Sequence, residues 1–357
     1  MQPRGLATIH CGNRVPLNMR SIFSEFRWKH IVAFSSILVV LICDRFIAGQ
    51  LPWWNVAASV PPFSILLLPC CIALLAIKAK RKLIIIGCSL IVMLLLIPRA
   101  DINFHALRLS DTALGSDQAS IQVMNWNTEF WDQSEPPGQM YRFLQESNQD
   151  IYILEEYEYL QEKPVWKPYL IDKHQELQAQ FPDYHVVTKD QFAIVSKYPV
   201  TQQTLSPTKQ VLWLTFLIDN KPFHVVSVHL EPQVDLGHSI LSREFWNFVN
   251  LRHHSRNEGL DEIENFIRQA GDEPLIVTGD FNTTLLMGSL DPLRDQLDDA
   301  VKYSKQLFPT TWETKGYFGW RIDHFLYNKH VEIQSYQAVA QLELSDHKAL
   351  KVKLRLK

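Results

Sequence analysis

Hydrophobic positions are spaced in two different ways along this chain. In the first hundred residues they form long unbroken runs, Ile31–Cys43, Val56–Ile77 and Leu83–Ile97. The first reaches about 18 residues when Asp44 and Arg45 lie at a water interface, the second is long enough to span outright, and the third is short but flanked by lysines whose stems can snorkel. Three membrane-spanning helices are therefore expected within residues 30–98. Pro61, Pro62 and Pro69 kink the second, because membrane helices tolerate proline where neighbours satisfy the freed carbonyls. Trp53 and Trp54 just before it suit an interfacial aromatic belt.

From Ser120 the runs shorten and alternate with polar helical stretches punctuated by Gly, Pro and Asn. The pattern predicts strands at Ile121–Trp126, Ile151–Glu155, His185–Val187, Phe192–Ser196, Val211–Ile218, Phe223–His229, Leu275–Thr278, His324–Tyr327, Val331–Tyr336 and Ala349–Leu354. Several lie too close in sequence for a crossover helix, so mixed or antiparallel sheets are expected. One long amphipathic pattern, Leu241–Gln269, predicts a helix with Phe245, Val249, Ile263 and Phe266 on its apolar face and an interruption near Gly259. The result is an α/β (α+β) domain over 119–357, a polar linker over 99–118, and a basic tail over 1–29 ahead of the apolar third.

Charge divides at the same place. Residues 1–117 carry 12 Lys and Arg against 5 Asp and Glu, whereas residues 118–357 carry 23 against 33. The basic residues cluster at Arg20, Arg27 and Lys29 before the first run and at Lys78, Lys80, Arg81 and Lys82 between the second and third. By the positive-inside rule both clusters face the cytoplasm, and a three-span topology then puts everything after Pro98 outside a cell inner membrane. The five cysteines, at 11, 43, 70, 71 and 88, all lie in the first part. A disulfide framework is thereby excluded for the second.

Candidate chemistry collects where the predicted strands end. The run Leu275–Val277 stops at Gly279 and places Asp280 and Asn282 two apart, so period-two geometry points both side chains the same way. Ile121–Trp126 runs into Asn127, Ile151–Glu155 into Glu156, and Phe223–His229 closes on His229. Asp323 opens the strand His324–Tyr327, and Asp346 and His347 precede the last strand. Each alone is an ordinary turn or cap. Six such ends in one domain point to a shared site. Hard carboxylate oxygens suit a divalent cation, and imidazoles transfer protons or donate to a developing charge. No HExxH or paired CxxC spacing supports zinc, and His253 and His254 read as helix surface.

In order and spacing, the segments WNT, DIYILEE, QFAIVSKYP, VSVHL, GDFN, RIDHFLY and LSDH resemble the motif set of the endonuclease/exonuclease/phosphatase superfamily, the DNase I-like fold, over Ile121–Lys357. The resemblance implies a four-layer sandwich, with two mixed β-sheets packed face to face and helices outside. It also implies hydrolysis of phosphodiester or phosphomonoester bonds with a divalent metal, Mg2+ with Mn2+ as a substitute. On that resemblance Glu156, with Asn127 and Asp346, holds the metal. Asp280 orients or deprotonates the attacking water, and Asn282 fixes its geometry. His347 touches the scissile phosphate, Asp323 orients a histidine, and His229 aids the leaving group. Glu155 and Gln191 stand where the family often has glutamine and glycine.

The expected partners are a phosphate ester, of a nucleic acid or a phospholipid, and a lipid bilayer. The acidic surplus of 118–357 counts against sequence-independent nucleic-acid binding, and a tether places the site near lipid headgroups. Trp312 and Trp320 are placed to line a pocket beside the RID segment. A silent binding module on this fold would lack a key residue, and none is missing. A transporter would carry buried charges in its spans, and only Asp44 and Arg45 stand near an edge.

Overall fold

The structure, a computed structural model, describes positions 35, 38 and 39 and residues 41–77, 82–108, 120–133, 138–161, 167–234, 237–314, 318–341 and 343–357. Its strands in chain order are β1 (Ile121–Asn127), β2 (Ile151–Glu155), β3 (Glu158–Gln161), β4 (Lys167–Leu170), β5 (His185–Lys189), β6 (Phe192–Ser196), β7 (Val200–Leu205), β8 (Val211–Ile218), β9 (Lys221–His229), β10 (Leu275–Asp280), β11 (Asp298–Asp299), β12 (Trp312–Thr314), β13 (Phe318–Trp320), β14 (Asp323–Tyr327), β15 (Val331–Val339) and β16 (Ala349–Leu356). Two six-stranded sheets result, in the orders β15-β16-β1-β2-β6-β5 and β11-β14-β10-β9-β8-β7, with β3–β4 and β12–β13 as separate hairpins. Each large sheet has one parallel pair at its centre, β1–β2 or β9–β10. The expected mixed sheets are present, and all ten expected strands have a counterpart.

The sheets pack face to face through Val123, Ile153 and Ile194 on one side and Leu214, Val225, Ile276 and Phe325 on the other. These are alternate positions of their strands, so one face of each sheet goes to the shared core. The opposite faces are covered by helices. Helix Arg243–Ala270 lays Ile263, Phe266 and Ala270 over the second sheet, and helix Gln139–Ser147 lays Met140, Tyr141 and Leu144 over the first. This makes a four-layer α/β sandwich. Helix Arg243–Ala270 starts at Ser242, whose side chain accepts from the Phe245 N–H, and continues through Gly259 without a break. The expected interruption is absent because Gly259 serves packing: a Cβ there would stand 2.9 Å from Leu230 Cδ2. β7 was not anticipated, since its middle residues are exposed and polar, as suits an edge strand.

The N-terminal part departs further from expectation. Lys82–Arg99 is, among the described residues, the one helix long and apolar enough to cross a membrane, with a mean hydropathy of 2.2. Val56–Ile77 does not form a single kinked helix. It divides into helix Pro52–Ala57, a 3-10 turn Pro62–Leu66 and helix Leu67–Ala76, because Pro61 and Pro62 in succession supply no N–H donors. Most of the first expected span, the loop 78–81 and residues 109–119 lie outside the described residues.

The beginning of the expected linker is packed, not free. Arg99 donates to Asp44 at 2.7 Å and grips Asp291 with two bonds of 2.6 Å. Asp101 is paired with Arg321 at 3.0 Å. The Asn103 amide donates to the carbonyls of Val301 and Ser304 at 3.0 and 2.9 Å. Cys43, Trp54 and Ala58 form a small core with Leu286 and Met287. These contacts seat the N-terminal segment on the stretch between β10 and β14.

Candidate active site

The two parallel strand pairs deliver their C-terminal ends to one place. In the first sheet Asn127 closes β1 and Glu156 follows β2; in the second, His229 and Asp280 close β9 and β10 in register. Antiparallel β14 sets Asp323 opposite Asp280. The turn before β16 places His347, whose N–H donates to Ser345 Oγ at 3.0 Å and whose carbonyl accepts from Trp126 Nε1 at 3.1 Å. Gly279 makes the close approach of β9 and β10 possible: its φ is 144°, and a Cβ there would lie 1.9 Å from the Val228 carbonyl oxygen.

One half of the site is buried and densely hydrogen-bonded. Asp280 Oδ1 accepts the Asn282 N–H at 2.7 Å, and Oδ2 accepts the Asn282 and Asn127 amides at 3.1 and 3.2 Å. Asn282 in turn donates to the Leu230 carbonyl at 2.8 Å. His347 holds Asp323 through Nδ1 at 3.0 Å, and its Nε2 faces Asp280 Oδ2 at 3.7 Å. Burial alone would lower the His347 pKa, but the carboxylates of Asp323 and Asp280 outweigh it and hold the imidazole well above its ordinary value. Asp280 is pushed up to about 6, mainly by burial and with Asp323 adding, against the pull of His347 and His229. His229 completes the wall, with Nε2 at 3.6 Å from Glu156 and 3.9 Å from Asp280, and with Nδ1 bonded to Gln191 Oε1.

The other half is acidic and partly open. Glu156 adopts φ 57°, accepting the Asn127 amide at 3.0 Å and the Phe130 N–H at 3.1 Å. Asp346 accepts Trp312 Nε1 at 2.6 Å, and its own N–H donates to Glu129 Oε2 at 2.8 Å. Burial raises the pKa of both Glu129 and Asp346; the charges of Asp346 and Glu156 raise Glu129 further, and those of Glu156 and Asp323 raise Asp346 against the pull of His347 and the Trp312 bond. Carboxylates crowded in this way fit a divalent cation, which would relieve the repulsion with hard oxygen ligands. Donor atoms of Asp280, Asp323 and His347 also lie within 4.8 Å of one another. Glu156 and Asp346 lie outside that trio and, being more open, offer carboxylate oxygens to a cation as well.

All eight residues singled out in the sequence, Asn127, Glu156, His229, Asp280, Asn282, Asp323, Asp346 and His347, come together here. Asn127 is placed differently from expectation. Its Nδ2 faces both carboxylates, and its Oδ1 accepts the Glu129 N–H at 3.0 Å, so as it stands it orients the carboxylates. Arg321 does not pair with Asp323; its partners are Asp101 and Asp299. Four further contributors are not among these eight, although Gln191 and Trp312 stand in or beside the motifs. Gln191 holds His229, Glu129 holds the Asp346 backbone, Trp312 holds the Asp346 carboxylate, and Thr311 Oγ1 accepts the Asp323 N–H at 3.0 Å. Glu155 is fully buried, bonded to Asn125 at 2.6 Å, and burial raises its pKa well above the carboxylate range. A neutral carboxyl has the shape of a glutamine amide, which accounts for its position in the motif.

A comparison with curated proteins returns no match. Solved structures similar to the chain include an endonuclease/exonuclease/phosphatase from Bacteroides vulgatus, 16% identical over 67% of this chain and 100% of that one with a TM-score of 0.48. A Danio rerio TDP2 complexed with a single-strand DNA product is 15% identical over 67% and 100%, with a TM-score of 0.49. The human Nocturnin catalytic domain with bound sulfate is 20% identical over 67% and 94%, with a TM-score of 0.46. The model of the Endonuclease/Exonuclease/phosphatase family matches residues 116–347. With that match spanning most of the sandwich, and His347 closing it, the chain belongs to the endonuclease/exonuclease/phosphatase family.

Proposed function

We propose that the protein is a membrane-anchored phosphoesterase that hydrolyses phosphodiester bonds by in-line attack of water, dependent on a divalent cation, Mg2+ or Mn2+. The observation that carries this reading is the convergence of Glu156, Asp280, His229 and His347 with separations of 3.6–3.9 Å between imidazole and carboxylate atoms. Membership of a hydrolase family supports the reaction class. Held by Glu156 and Asp346 with Glu129 beside them, the cation would neutralise phosphate charge and polarise the ester.

Asp280, fixed by Asn282 from backbone and amide, takes the proton of the attacking water. His347, kept protonated by Asp323, donates from Nε2 to a non-bridging phosphate oxygen as charge develops there. His229, oriented by Gln191, supplies the leaving oxygen with a proton. Helix Lys82–Arg99 supports anchoring, and the basic clusters at Arg20–Lys29 and Lys78–Lys82 support a topology with the catalytic half outside a cell inner membrane.

The test is hydrolysis of bis(p-nitrophenyl) phosphate by the full chain in detergent. Turnover with Mg2+ or Mn2+ is expected, with loss in EDTA and in Asp280→Ala; a rate unchanged in Asp280→Ala overturns the mechanism. Nucleic acids and phospholipids present the same diester, so arms with DNA, RNA and phospholipid vesicles separate the sources. A periplasm-sensitive reporter fused after Pro98 should be active, and activity of a cytoplasmic reporter alone defeats the topology.

A further inference from the structure

The N-terminal segment reaches the cation side of the site by a continuous chain of contacts. Ser59, in the turn after helix Pro52–Ala57, offers its carbonyl to Trp320 Nε1 at 3.0 Å. The Trp320 ring lies against Trp312, with centroids 5.3 Å apart, across the antiparallel pair β12–β13. Trp312 Nε1 donates to Asp346 Oδ2 at 2.6 Å, and its backbone bridges to His347. The far end of the chain does not float. Trp54 Nε1 donates to the Leu286 carbonyl at 3.3 Å, Arg99 grips Asp291 with two bonds, and Asp101 pairs with the buried Arg321 next to Trp320. Leu285–Met287 follow Asp280 and Asn282 directly, so the same segment holds both strands that supply the catalytic carboxylates.

We propose that the N-terminal segment is a working part of the phosphoesterase site, its Ser59 turn setting the Asp346 carboxylate through Trp320 and Trp312 as positioning residues. A charge-assisted bond to one carboxylate oxygen leaves the other, Oδ1, aimed toward the site, 3.8 Å from His347 Nε2. Partners that orient a ligand are worth a measurable share of metal affinity. The inference rests on the cation-dependent reading above, and the measurements below separate the two.

The experiment measures Mn2+ binding to the full chain in detergent by electron paramagnetic resonance, together with the Mn2+ concentration for half-maximal hydrolysis. Trp312→Phe keeps a smaller aromatic ring and removes the N–H, and binding should weaken about tenfold, as for loss of an outer partner of a ligand. Trp320→Phe removes the bond to Ser59 and trims the ring that lies against Trp312, and at least about threefold weakening is expected, the share of one hydrogen bond. In both, kcat at saturating Mn2+ should stay within about twofold, since the orienting bond acts through affinity. Unchanged Mn2+ affinity in the two folded variants overturns the proposal. Weakening in Trp312→Phe alone overturns the link to the N-terminal segment, and should Trp312→Phe not fold, Trp320→Phe decides. A wild-type chain that binds no Mn2+ defeats the cation-dependent reading itself.

Discussion

The two halves of the site hold similar residues in opposite states. Around Asp280, Asp323 and His347 the side chains are almost fully buried, and each carboxylate has an imidazole or amide partner. Around Glu129, Glu156 and Asp346 the side chains are partly exposed, and burial with neighbouring carboxylates raises the proton affinity of Glu129 and Asp346. Burial with partners fixes atoms before substrate arrives, which suits proton transfer and charge stabilisation. In the more open half the imidazoles of His229 and His347 approach Glu156 and Asp346 only to 3.6 and 3.8 Å, and a divalent cation would complete the balance of charge. The difference teaches which half works by pre-organisation and which by completion.

Removing the buried half should have the largest effect. His347→Ala is expected to lower kcat about 10³-fold, the range of a positioned proton donor, and stopped assays at saturating Mn2+ measure it. Glu156→Gln should weaken Mn2+ binding by about two orders of magnitude while the protein stays folded, a result of titration against EDTA-stripped protein.

Asp323→Asn sharpens the contrast through pH. His347 loses the partner that raises it, so the alkaline limb of kcat/KM should move down by about one pH unit. The same change bears on stability. A histidine raised in the fold stabilises it below about pH 6.5 and loses that contribution as pH rises through its folded value, so the variant should lose melting temperature mostly on the acid side. The acid limb of the wild type should lie at or below about 6, the value of Asp280 without a cation, since a bound cation lowers it. Glu155→Gln should do least: burial favours the neutral form of this carboxyl, so rate and melting temperature should stay nearly constant.

The sandwich was legible because its strands obey a period of two between polar breaks, and the site because each strand delivers one polar residue at its end. What sequence periodicity could not reveal were the partners contributed by other elements. Gln191 is a strand-edge glutamine until β6 meets β9, and Trp312 is an aromatic near a motif until the turn before β16 brings Asp346 to it. The proline pair at Pro61 and Pro62 was visible, but its effect was underrated, since apolar run length does not report where donors are missing. Asp101 looked like linker because a charge in a polar stretch is ordinarily solvated. Its buried partner Arg321 lies more than two hundred residues away.

Gly49 and Gly288 meet back to back where the N-terminal segment crosses the loop after β10, with φ of 75° and 80°. A Cβ on Gly288 would stand 2.6 Å from Ala48 Cβ, and one on Gly49 would stand 3.1 Å from the Gly288 carbonyl oxygen. Either methyl wedges the same seam. Once one has opened it, the second meets space already made, so alanine at both positions should cost less than the two single costs added together. In genetic terms the two positions form one locus, and a change tolerated at the first alters what the second will accept.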